Sequence, residues 1–280
     1  MKTNSTRSMG AVAALAVFAG SVHAQPAAPL ELAGRLFERS GLAAQLQPLP
    51  EQFEQGLSQN RGGMPDEVVA ALAEAGRKSF GVAALREEIV STLAQTLSVA
   101  DMKRVLAWLD GRVGRSMTMA EESAAGKLTQ ENMQAYFESE KLKPADPQRA
   151  RLIAELVAAV NAVEIGATLI EAMSLGIAVG MDSTQPVEKR IGISNLRSRQ
   201  RAVMPPDKLR ASMSATFPAM YGFVYRQTGD AELAAYVKFN NSALGRRYNQ
   251  AVTKALTAAL TRASVRVGEI IQGVPGKEKI

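Results

Sequence analysis

The chain has 280 residues, 33 basic and 27 acidic side chains, no cysteine and a single histidine, His23. Without cysteine there is no disulfide, no thiolate metal site and no thiol redox pair, and if His23 leaves with the N-terminal segment, imidazole chemistry leaves with it. Ser-His-Asp and Cys-His catalysis and histidine-ligated zinc are then excluded, so stability must rest on packing, for which a chain of this length buries enough surface.

Residues 1–24 read as a cleaved signal peptide. Lys2 and Arg7 supply the positive start, Met9–Gly20 is uncharged and mostly apolar, and Val22-His23-Ala24 places small residues where a signal peptidase reads them. The apolar run is shorter than the roughly 20 residues a spanning helix needs, and no cysteine follows it to carry a lipid. The expectation is cleavage after Ala24 and a periplasmic mature protein, not integral to the membrane, with a moderate positive charge.

The 12 prolines cluster, leaving proline-free stretches at 66–143, 148–185 and 219–274 that are rich in Ala, Leu, Glu, Lys, Arg and Met. These residues favour helix, and runs of alternating β-branched residues are missing. The expected fold is all-α: two tandem helical half-domains packed as a multi-helix bundle, with a first helical repeat at 25–143, a second at 144–267 and a flexible C-terminal tail at 268–280.

In chain order, Leu30–Leu46 reads as one amphipathic helix stopping before Pro48. Pro65 opens another in its first turn, and Leu85–Leu97 follows. Ser98 is a natural cap for the helix through Asp101–Leu109. Lys141–Gln148, with two prolines, marks the boundary between halves. Pro147 then opens the long apolar stretch Leu152–Met181, expected as one central helix. Asn161, Glu164, Thr168 and Glu171 fall three, four and three residues apart along it, so they form one narrow polar stripe. Its bland reading is a solvent-facing seam; the sharper one is a ligand groove charged by Glu164 and Glu171.

Between Glu188 and Arg210 stand seven basic residues: Lys189, Arg190, Arg197, Arg199, Arg201, Lys208 and Arg210. Arg190, Arg197 and Arg201 are expected on one helical face. The patch is either an ordinary solvated face or a contact for anionic lipid or polymer. Nucleic acid is not expected as a partner, given the compartment, the moderate charge and the lack of interleaved aromatics. Beyond Pro205-Pro206, Met213, Phe217, Met220 and Val224 keep the spacing of a core stripe, widened by Tyr221 and Tyr225.

Asp101–Ala124 recurs, weakened, at Glu232–Ala255. Asp101 and Trp108 fall opposite Glu232 and Phe239, Gly111 opposite Ser242, and Gly114-Arg115 opposite Gly245-Arg246. Gly111 and Ser242 suit helix N-caps, Gly114 and Gly245 allow close helix approach, and Arg115 and Arg246 are expected to reach back to Asp101 and Glu232. The matched stretches read as an internal duplication. An aromatic helix end, then Ser, a variable residue, an apolar residue, Gly and a basic residue resembles the bacterial exported family known as domain of unknown function 2059. Phe239–Arg246 carries that pattern with Ala243 where the family often has proline, and Trp108–Arg115 carries it with Gly111 for the serine. The resemblance implies a helical periplasmic protein and brings no catalytic residues.

Two function classes remain. One is a non-enzymatic envelope module that binds a protein, lipid or polymer through its surface. The other is a carboxylate enzyme cleaving cell-wall glycans, which needs neither His nor Cys. Glu122-Ser123 and Glu138-Ser139 faintly resemble the Glu-Ser pair of lytic transglycosylases, without that family's aromatic and glycine-rich partners. Glu121-Glu122 and Glu87-Glu88 are neighbours on their helices, so neither pair shares a face. No catalytic, cofactor-binding or metal residues are expected, and the first class is the preferred one.

Overall fold

A computed structural model describes residues 27–59, 61–141 and 146–272. The expected signal peptide, residues 142–145 of the expected Lys141–Gln148 boundary and residues 273–280 lie outside them. The fold is all-α, with no strand among the described residues. The first seven helices are α1 (Ala27–Arg39), α2 (Leu42–Leu46), α3 (Leu49–Gln59), α4 (Asp66–Phe80), α5 (Val82–Thr96), α6 (Val99–Leu109) and α7 (Arg112–Ala124). They are followed by α8 (Gln130–Lys141), α9 (Pro147–Ala159), α10 (Ala162–Ser183), α11 (Ile193–Val203), α12 (Pro206–Val224), α13 (Asp230–Asn241) and α14 (Ala243–Gln272).

Three expectations change. Leu30–Leu46 is two helices, because Gly41 turns left-handed at φ 71° between them. The apolar stretch Leu152–Met181 is also two helices, since Asn161, at φ 55°, ends α9 and begins α10. Asparagine tolerates that conformation better than most residues, and periodicity alone does not register it. At the other end, α14 continues through Gln272, with Val267, Gly268 and Ile271 buried, so 268–272 is helix rather than tail.

α14 is the central strut. It packs on α4, α5, α6, α10 and α13, and its Tyr248, Leu256, Leu260, Val267 and Ile271 complete the larger core with Leu36, Phe53, Leu72, Phe80, Ile89 and Val105. Phe53 and Phe80 stack at its centre with ring centroids 5.1 Å apart. A smaller core joins Met117 of α7 to Ile153, Leu156, Tyr225, Leu233 and Val237. Both cores draw on residues from either side of 143/144.

α10 is long and apolar enough to cross a membrane by length and composition, with mean hydropathy 1.6. Here it lies against α14, α12 and α11.

The two matched stretches interlock. α7 packs on α13 while α14 packs on α6, and Trp108 stacks on Phe239 with centroids 3.8 Å apart and planes 12° from parallel. The acids cross over in the same sense. Asp101 receives both Arg247 Nε and Nη2 at 3.0 Å, and Glu232 receives Arg112 at 2.7 Å and the Ser116 hydroxyl at 3.3 Å. Arg104, four-fifths of a turn along α6, also holds Asp101. These partners keep the Asp101 carboxyl well below the usual carboxylate range, the Arg247 hydrogen bond first and Arg104 second.

Candidate functional site

The motif residues sit where the sequence places them, apart from the arginines. Ser242 caps α14 by accepting from the Gly245 amide at 3.0 Å, and Gly111 occupies the equivalent N-cap of α7. Arg115 does not meet Asp101, nor Arg246 Glu232. Each donates to the carbonyl five residues back, Asp110 O and Asn241 O, at the end of the helix it has just left. A cation there satisfies an orphan acceptor and complements the helix dipole. A side chain starting only five residues onward, on the next helix's first turn, reaches that carbonyl more directly than an acid a whole helix away.

Beside the interlock lies a cluster that sequence reasoning missed. Glu121 Oε1 accepts from the Tyr225 hydroxyl at 2.5 Å and the Tyr236 hydroxyl at 2.9 Å, and Oε2 accepts from Gln45 Nε2 at 3.1 Å. A cavity of about 40 Å³, lined by Ser40, Trp108, Glu121, Tyr236, Asn240 and Tyr248 among others, adjoins it. That is room for about one or two water molecules. Glu122, the next residue, stays exposed.

Burial pushes the Glu121 carboxyl up, more than the hydroxyls and Gln45 lower it. It also raises Tyr225 and Tyr236 well above the ordinary tyrosine value, with the Glu121 charge adding, and Tyr248 to about 12. An unfolded glutamate releases its proton near pH 4.3. The native state keeps the proton to higher pH, so it binds more protons across that window and loses stability as pH rises through it. Glu121→Gln is therefore expected to gain in melting temperature relative to wild type as pH is raised above about 4. Thermal melts at matched pH check this; a gap that moves the other way refutes it.

The expected polar stripe is dispersed. Asn161 is the left-handed N-cap of α10 and donates to Thr253 Oγ1 at 3.4 Å. Glu164 is held by Arg210 through two bonds of 2.8 and 3.0 Å, which lower its carboxyl. The backbone carbonyl of Glu171 accepts from Gln200 at 2.7 Å, while its Oε1 is buried with no hydrogen-bond partner. Thr168 is half-buried between them.

The basic patch divides. Arg190 is not on the helix of Arg197 and Arg201; it follows a short turn and donates to Gln185 O and Ser183 O, closing the end of α10. Asp182 pins the same turn by accepting from the Ile191 and Gly192 amides at 2.8 and 3.0 Å. α11 then runs back along α10, its Leu196 buried and its Gln200 reaching Glu171. That contact leaves Arg197 and Arg201 exposed on one flank and Arg199 on the other. Lys189, Arg197, Arg199 and Arg201 make no ion pair among the described residues. In the same segment stand four exposed large apolar side chains, Met181 and Ile193 at 38% and Val187 and Val203 at 74% and 87%.

No protein-family model, curated protein or solved structure matches this chain.

Proposed function

We propose that this is an exported, periplasmic, non-enzymatic interaction protein of the cell envelope, built by internal duplication and related to the exported helical family it resembles. The observation that carries the reading is the surface at 181–203, where cations without ion pairs and exposed large apolar side chains stand together on the corner between α10 and α11. Solvated surfaces scatter single apolar residues; a group of them rimmed by charge marks a contact. Packing on α10, the Asp182 and Arg190 hydrogen bonds and the Gln200–Glu171 contact hold that corner in place. Duplication is supported by the equivalent caps, glycines, carbonyl-bound arginines and crossed acids of the two stretches.

The test is a photoreactive residue at exposed Ser198, on α11, in the exported protein inside cells. A defined adduct there, to protein, lipid or polymer, is the expected result, and a site that yields none overturns the reading. Release of soluble fragments from purified cell-wall sacculi would overturn its non-enzymatic part.

A further inference from the structure

The chemistry of 181–203 selects among partners. Resting on the interaction reading, we infer that this corner docks on the surface of an anionic phospholipid bilayer, with α11 lying in the plane of the headgroups.

The cations alone do not distinguish a bilayer from any other polyanion. Four basic side chains without ion pairs, Lys189, Arg197, Arg199 and Arg201, would suit either. The apolar residues decide. Met181, Val187 and Ile193 gather at the end where α10 turns into α11, and Val203 stands at the other end of α11. The 11 residues of α11 separate the two ends by about 16 Å. A soluble polyanion offers these side chains nothing. A bilayer interface takes apolar groups into the boundary between headgroups and chains, while arginines spread between them meet the phosphates.

The build of the corner fits a preformed platform. Asp182 holds the Ile191 and Gly192 amides, Arg190 closes the carbonyls at the end of α10, and Gln200 ties α11 to Glu171. Of the acids near the patch, Asp182 is committed to those amides, Glu171 faces α11 at Gln200 with its Oε1 buried, and Glu188 is the one further carboxylate between 181 and 203. Arg197, Arg199 and Arg201 therefore face solvent with their charge free to be matched from outside.

The experiment is co-sedimentation of the mature protein with vesicles of phosphatidylcholine alone or mixed with phosphatidylglycerol. Binding is expected only to the anionic vesicles, and it should weaken as salt rises from about 0.1 M toward 1 M, where screening shortens from about 10 Å to about 3 Å. Each lost arginine should reduce partitioning about fivefold, so R197Q/R199Q/R201Q falls about a hundredfold. V187S/V203S should fall about tenfold at unchanged charge. All these side chains are exposed, and matched melting curves confirm that the variants fold. Equal binding to neutral vesicles overturns the inference, as does a V187S/V203S variant that binds like wild type. Binding to soluble polyphosphate as strong as to anionic vesicles overturns it too. A protein adduct from Ser198 together with no vesicle binding removes the lipid and leaves the interaction reading standing; no adduct and no vesicle binding removes both.

Discussion

Replacing Gly245 with alanine is expected to cost about 3 kcal/mol, which in a chain of this size lowers the melting temperature by about 6–12 °C. A Cβ at that position would lie 2.0 Å from the carbonyl oxygen of Phe239 and 2.8 Å from the Cα of Asn240. Both are backbone atoms in the last turn of α13, just before the chain turns through Ser242 into α14, so no rotamer change relieves the overlap. The helices have to move apart, and that separates Phe239 from Trp108 and the crossed acids from their arginines. Gly114→Ala meets Trp108 O at 2.4 Å and Leu109 Cα at 2.6 Å, so it should behave alike. Gly63, with nothing within 4 Å of its would-be Cβ, is the control and should tolerate alanine unchanged. A Gly245→Ala protein that melts with wild type would show that the corner is softer than its geometry.

Trp108→Ala is the second large effect, again about 3 kcal/mol. The indole stacks on Phe239 at 3.8 Å and on Tyr236 at 5.6 Å between centroids, so truncation opens a cavity at the meeting of the two matched stretches. The neighbouring polar cavity lined by Glu121 and Asn249 would then join it and admit water. A double-mutant cycle with Phe239→Ala isolates the contact itself, and the coupling should reach about 0.5–1.5 kcal/mol beyond the area lost. Additive losses would mean that the rings fill space without a pairwise preference.

Which features were legible in the sequence follows from their range. Helix class, the Ser98 and Ser242 caps and the close-contact glycines depend on neighbours a few residues away, and they read correctly. The break at Asn161 was hidden because α9 and α10 are both apolar and the residue between them takes a rare backbone angle without a glycine or proline to announce it. The Glu121 cluster was hidden by distance: its tyrosines lie 104 and 115 positions downstream. Tyr225 reads locally as part of an apolar stripe, and nothing on α7 marks Glu121 apart from Glu122. The same holds for the acids. Motif spacing pairs Asp101 with Arg115, whereas its partner across the interlock, Arg247, stands 146 positions away and occupies the place of Ser116 in the other stretch. Arg190 differs for another reason: its spacing to Arg197 and Arg201 fits one unbroken helix, and the chain makes a turn there.

The position of α14 has a consequence for the order of events at the chain's birth. Its side chains complete the larger core from the last described stretch of sequence, so helices α1 to α6 emerge with one wall of their core still unmade. A polypeptide delivered from its N-terminus must wait for residues 243–272 before that wall exists, and contacts of such separation close slowly. The early helices thus stay open to solvent, and to whatever carries the chain, until its far end arrives.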